Sequence, residues 1–176
     1  TQQYSGNFML LYSIYPNPVP TGIDNYDRAV VRNNDYANMP NLLPNNVESE
    51  YIDNFSVGNM RSGLEGHSMI LIGAHGGMGT NPITNVYETY FATIDDTANA
   101  DQEILDDISA GRISPLSNGS GYRVYPEFFA YYYEEGDFDG CIFGCQGCRF
   151  LGTTADPNLI FANQMIELGA EAVYGN

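Results

Sequence analysis

A chain of 176 residues with 43% hydrophobic side chains, including 14 tyrosines and 9 phenylalanines, can bury one substantial core and so is expected to form a single domain, not a disordered one. Its 22 acidic residues against 6 lysines and arginines give a net charge of −16, which repels nucleic acid and anionic lipid and argues against both as partners. No apolar run approaches the ~20 residues needed to span a bilayer. Such a surface draws in cationic peptides, basic proteins and metal ions, or simply keeps the protein soluble. Scarce lysine beside abundant Asn, Tyr, Gly and Thr suits an extracellular or cell-surface location. The chain opens at Thr1 without a signal peptide, as expected of a processed precursor or an excised piece of a longer protein.

Taken in chain order, Phe8–Tyr15 reads as a first strand stopped by Pro16, Pro18 and Pro20. Residues 16–46 read mostly as loop, with a brief strand at Ala29–Val31. A short helix is expected over Val47–Phe55, with Asn46 as N-cap and Glu48 and Glu50 in its first turns. Ser68–Ala74 is a continuous apolar run that suits a strand covered on both faces. A Gly/Asn/Pro loop leads to Pro82, and Val86–Ile94 is rich in β-formers. Asp101–Ala110 reads as a helix stopped by Gly111, and Ser114–Gly121 as loop. Pro126 opens a helix continuing to Glu135. Tyr131-Tyr132-Tyr133 within it reads as amphipathic packing. A second buried strand is expected over Phe138–Gly144, then a helix from Asp156 (N-cap) to Leu168 with Gly169 as C-cap, then a strand over Ala170–Tyr174. Strands alternating with helices predict an α/β three-layer sandwich with a mainly parallel sheet.

Two segments carry the chemistry. Met69-Ile70-Leu71-Ile72-Gly73-Ala74 runs into His75-Gly76-Gly77, and Ile142-Phe143-Gly144 runs into Cys145-Gln146-Gly147. In parallel sheets, chemistry gathers at the carboxyl ends of strands. Neighbouring strands would bring His75 and Cys145 to one edge, and a thiol beside an imidazole is the minimal kit for an activated sulfur nucleophile. The amides of Gly76, Gly77 and Gln146 are candidate oxyanion donors. His67 lies at the other end of its strand, far from such a site. Cys141, four residues before Cys145, points to the same face roughly 13 Å away and reads as core.

The spacing Cys141-x3-Cys145-x2-Cys148 also matches iron–sulfur, thioredoxin-like and zinc readings. Too little chain follows Cys148 for the first two, and strand geometry separates Cys141 from the other ligands of a zinc site. Asp95, Asp96, Asp101, Glu103, Asp106 and Asp107 form an acidic cluster without the loop of an EF-hand, read as a solvated helix face rather than a calcium site. No metal or other cofactor is therefore expected, calcium being the one alternative.

An apolar strand ending in His-Gly, followed by a second ending in Cys, resembles the caspase-like cysteine peptidases (clan CD), most closely the CHAT and gingipain branches. Ile70–Gly76 resembles the histidine motif, and Cys141–Cys145 the cysteine motif, where Gly144-Cys145 is similar to separase. Leu43-Pro44 with Glu48 and Glu50, Tyr125–Gly136, and Asn158–Tyr174 resemble the segments around those motifs, so the likeness covers roughly residues 42–176. The resemblance implies a single caspase-like domain over 1–176 with an insertion near 78–120. It implies a cysteine endopeptidase with Cys145 as nucleophile, His75 as general base or proton donor, and Gly76 as an oxyanion donor. Phe143 stands where clostripain-like members carry an Asp that reads a basic P1 side chain. The chain ends at the strand after the nucleophile, where the family has further elements. The expected partner is a peptide or protein substrate, with self-association as a further expectation. The alternatives from other classes are a non-catalytic extracellular surface or assembly module keeping the same fold, and a redox or metal protein built on the cysteine cluster.

Overall fold

A computed structural model describes residues 7–13, 38, 41, 48–53, 56–117, 119–146, 151 and 158–175. The expected strand at 29–31, the loop over 16–46, the Leu43-Pro44 segment, Gly147, Cys148 and the Asp156 N-cap lie wholly or mostly outside the described residues.

Five strands form a parallel sheet in the order β2-β1-β3-β8-β9. β1 is Asn7–Ser13, β2 Glu48–Asp53, β3 Met69–Ala74, β8 Ile142–Gln146 and β9 Ala172–Gly175. Every pairing among them is parallel. Four more strands form an antiparallel sheet in the order β4-β5-β7-β6: β4 Gly76–Thr80, β5 Tyr87–Ala92, β6 Ile113–Pro115 and β7 Tyr122–Val124. The longer α-helices among the described residues are α1 (Val57–Arg61), α2 (Gln102–Ser109), α3 (Pro126–Tyr132) and α4 (Ile160–Glu167). The protein is thus a mixed α/β molecule whose main sheet is parallel.

One face of the parallel sheet supplies the core. Ile70, Ile72 and Ala74 alternate along β3, and Phe143 and Cys145 stand level with Ile70 and Ile72 on β8. Val57 and Met60 of α1, Phe128 and Phe129 of α3, and Phe161 and Met165 of α4 complete the cluster. Phe161 is its hub, with ring centroids 5.2 Å from Phe91, 5.3 Å from Phe129 and 6.0 Å from Phe143 in edge-to-face geometry. Each such ring contributes roughly 1.5–3 kcal/mol by leaving water. On the opposite face Gly144 admits close neighbours, since a Cβ there would collide with Leu71 Cδ2 and the Tyr174 hydroxyl.

Several expectations change. Residues 48–53 form an edge strand, not a helix, because pairing with β1 (Leu10 opposite Tyr51) overrides their weak helical preference. The helix begins later, where Ser56 and Asn59 form a capping box. Gly76–Thr80 is a strand rather than a loop. Its glycines let the Tyr90 ring lie across β4, because a Cβ at Gly77 would meet the Tyr90 hydroxyl at 2.6 Å. β6 cuts into the region read as loop at 114–121, β7 follows it directly, and α3 stops at Tyr132. β8 starts at Ile142, because Phe138–Cys141 close a turn in which the Cys141 N–H donates to the Phe138 carbonyl, 2.9 Å. α4 starts at Ile160, where the Asn158 side chain accepts from the Ile160 N–H, 3.2 Å. Asp101 and Pro126 open α2 and α3 as the sequence implies.

Candidate active site

β3 and β8 are neighbouring parallel strands, so the residues that leave them do so at one edge of the sheet. His75 follows β3 directly and is exposed, while its carbonyl accepts from the Ala92 N–H at 2.6 Å. That bond begins the β4–β5 ladder. It makes Gly76, opposite Phe91, a non-hydrogen-bonded pair whose amide points away from β5, and it commits the Gly77 amide to the ladder. Of these two glycines, only Gly76 has an amide left unused by the β4–β5 ladder among the described residues.

Cys145 stands level with Ile72, three residues short of His75, which is about 10 Å along the strand direction. Its side chain is 3% exposed and belongs to the core cluster. Burial pushes the Cys145 thiol well above its ordinary value, so it is protonated at neutral pH. In the β3 alternation, His75 falls in the phase opposite to Ile72 and Ala74. The described arrangement therefore brings the two residues to one sheet edge without placing the imidazole on the thiol. Gln146 ends β8 opposite Gly73. Cys141 is fully buried, as its core reading implied, and burial raises its thiol to about 11. Phe143 is fully buried 5.5 Å from Phe138, so its ring packs the core rather than lining a substrate pocket. His67 hydrogen-bonds through Nδ1 to the Leu64 carbonyl, 3.2 Å.

The acidic cluster is not a solvated helix face throughout. Asp107 is completely buried and held by Arg61 (3.0 Å), Arg112 (2.6 Å) and the Tyr132 hydroxyl (3.1 Å). Asp95 accepts from the Val57 amide (3.2 Å) at the start of α1 and from the Thr93 hydroxyl (2.5 Å). Burial nevertheless raises its carboxyl above the ordinary range. Asp96 accepts from Asn99 and the Ala98 amide, which lower its carboxyl. Asp101 caps α2 through the Ile104 amide, 2.8 Å. Asp95, Asp96 and Asp101, but not Asp107, border a cavity of about 210 Å³ that Arg61, Ile104 and Tyr122 also line. Among the described residues no group of three or more His, Cys, Asp or Glu side chains is arranged to hold a metal ion, and no helix is long and apolar enough to cross a membrane.

A second polar centre, unanticipated from the sequence, lies beneath the antiparallel sheet. Asn81 and Glu88 are both fully buried, and Asn81 Nδ2 donates to Glu88 Oε1 (3.0 Å) and to the Gly111 carbonyl (2.7 Å). The available signal was a charged residue on an otherwise apolar strand, Val86-Tyr87-Glu88-Thr89-Tyr90-Phe91. Compared with known proteins, the chain matches no family model, no curated protein and no solved structure.

Proposed function

We propose that the chain is a caspase-like cysteine peptidase domain with Cys145 as nucleophile and His75 as its acid–base partner. The observation that carries this reading is the adjacency of β3 and β8, parallel neighbours whose carboxyl ends bear His75 and Cys145. The fold part of the proposal is the three-layer caspase-like sandwich, supported by a parallel sheet ordered β2-β1-β3-β8-β9 and by α3 and α4 packed on one face.

In the proposed reaction the Cys145 thiol passes its proton to His75, and Sγ forms a bond to the scissile carbonyl carbon. The Gly76 amide receives the oxyanion. The C–N bond then breaks as His75 protonates the leaving amine, and water hydrolyses the thioester. Sγ has to leave its contact with the core to do this, so the described arrangement is the resting form of the proposed enzyme. A peptide or protein substrate outside the cell or at its surface belongs to the same proposal.

The burial of Cys145 favours a second reading, a non-catalytic module that keeps the fold and uses the thiol as a small core side chain. Iodoacetamide alkylation against pH, read residue by residue by mass spectrometry alongside a peptide-library cleavage assay, separates the two. The peptidase reading expects Cys145 to label below pH 7, less so in His75→Ala, and cleavage to vanish in Cys145→Ala. Sluggish labelling with no cleavage supports the module, and cleavage that survives Cys145→Ala overturns the assignment.

A further inference from the structure

The buried centre beneath the antiparallel sheet has an unbalanced hydrogen-bond count. Both N–H groups of the Asn81 amide are used, one on Glu88 Oε1 and one on the Gly111 carbonyl. Its Oδ1 accepts from the Ile83 and Thr84 amides, 3.1 and 3.4 Å. Glu88 itself is fully buried, and its other oxygen, Oε2, has no donor in reach among the described residues. Within hydrogen-bonding reach lies Glu127, in the first turn of α3, whose Oε2 is likewise buried and without a donor. Each carboxyl thus keeps one buried oxygen without a donor among the described residues, on two elements that meet where Phe91 of β5 packs on Phe129 of α3.

Buried polar oxygens are rarely left unsatisfied, and two ionised carboxylates cannot share a dry site. One proton repairs both faults, since a protonated carboxyl donates to the carboxylate beside it. We propose that Glu88 and Glu127 share a single proton and form a carboxyl–carboxylate clasp that fastens the first turn of α3 to β5.

The other groups facing this point offer no substitute. Tyr90 and Arg123 share the sheet face of Glu88, but the Arg123 guanidinium lies over the Tyr90 ring, 5.1 Å from its centroid. Arg123 forms no ion pair among the described residues. Tyr125, at the N-cap of α3, has its hydroxyl on Ser114, 2.9 Å. Asn81 and Gly111, from the segments after β4 and α2, bring no charge. Burial, opposed by the Asn81 hydrogen bond and reinforced by the charge and hydrogen bond of Glu127, raises Glu88 to about 7. The sign follows from linkage. Unfolded chains release this proton near the ordinary value of 4.5 and the folded protein near 7, so the clasp's stabilisation is complete below 4.5 and lost as pH rises to about 7.

The clasp is a pH-sensitive device. Above neutrality two negative charges occupy one buried contact, and the α3–β5 junction loosens. β5 also holds the His75 carbonyl through Ala92, so loosening there reaches the strand that follows the candidate site. The inference does not rest on the peptidase reading.

Infrared difference spectroscopy on the full chain tests it. At pH 6 the folded protein should show the carbonyl stretch of a buried protonated carboxyl, fading with a midpoint near pH 7. Glu88→Gln and Glu127→Gln should each remove that band, because the new amide supplies the missing donor. Each should also flatten the loss of unfolding midpoint between pH 4.5 and 7, about one bound proton in size. Asp95→Asn controls for the other carboxyl that burial raises and should leave the pH 7 component in place. Absence of the band in the folded wild type at pH 6 overturns the proposal even if a variant fails to fold. Its persistence in both Gln variants does the same.

Discussion

The two sheets of this protein are held by different physics. The parallel sheet rests on an apolar face where Ile70, Ile72 and Phe143 meet the Phe129 and Phe161 rings, with Cys141 and Cys145 packed as small hydrophobes. The antiparallel sheet and α2 surround buried polar groups: Asn81, Glu88, Ser114 and Asp107 are each at most 3% exposed. Apolar burial is non-directional and tolerates approximate packing. Buried polar groups stabilise only when each one finds its partner, and they are costly when a partner is lost. The first region should therefore lose stability according to the volume removed, the second according to which partner is removed.

The largest effect is expected in the apolar region. Phe161→Ala should cost about 4 kcal/mol, because it empties the hub between Phe91, Phe129 and Phe143, and chemical denaturation reads this directly. Near-neutrality would mean that the rings collapse into the gap.

Slightly smaller is Asp107→Ala, at about 3 kcal/mol. It removes little volume but strands Arg112 and leaves Arg61 only its pair with Glu103, the two arginine side chains being 15% and 12% exposed. The comparison sharpens with Asp107→Ala/Arg112→Met, which should recover part of that loss. A double variant as unstable as the sum of its singles would place Asp107 with the volume-driven sites.

Alkaline pH should weaken the apolar region through Cys141. Cys141 ionises near 9.0 when unfolded and near 11 in the fold, so the stability it contributes is present below 9 and lost as pH rises to about 11. Cys141→Ala should remove this component from the pH profile of the unfolding midpoint. The smallest effect is Ser56→Ala, about 1 kcal/mol, from loss of the hydroxyl that accepts from the Asn59 amide at the start of α1.

What could be read in advance follows the same division. β3 and β5 are long apolar or β-branched runs, and α2 and α3 carry their start signals at Asp101 and Pro126. These depend on residues near in sequence. β2 read as a helix because Glu48 and Glu50 suit a first turn, yet β1, some forty residues earlier, offers it a parallel partner. β4 read as a loop because glycine is a poor strand former, although here glycine makes room for Tyr90. β6 and β7 are three residues each, too short for any period to register. The acidic cluster read as solvated because Asp107 lies among exposed neighbours, and only the arrival of Arg61 from α1 and Tyr132 from α3 buries it.

The amino-acid sequence by itself determined the α/β character, one strand running into His75 and another toward Cys145, since these follow from local apolar runs bounded by glycine; that Cys145 lies inside its strand came from the fold. Tertiary structure alone decided that the strands are neighbours, that Cys145 turns toward Ile72 and the core while His75 is exposed, and that Glu88 is buried against Asn81. Strand register and the pairing of buried charges depend on partners brought together by the whole chain, and no local pattern encodes which partner arrives.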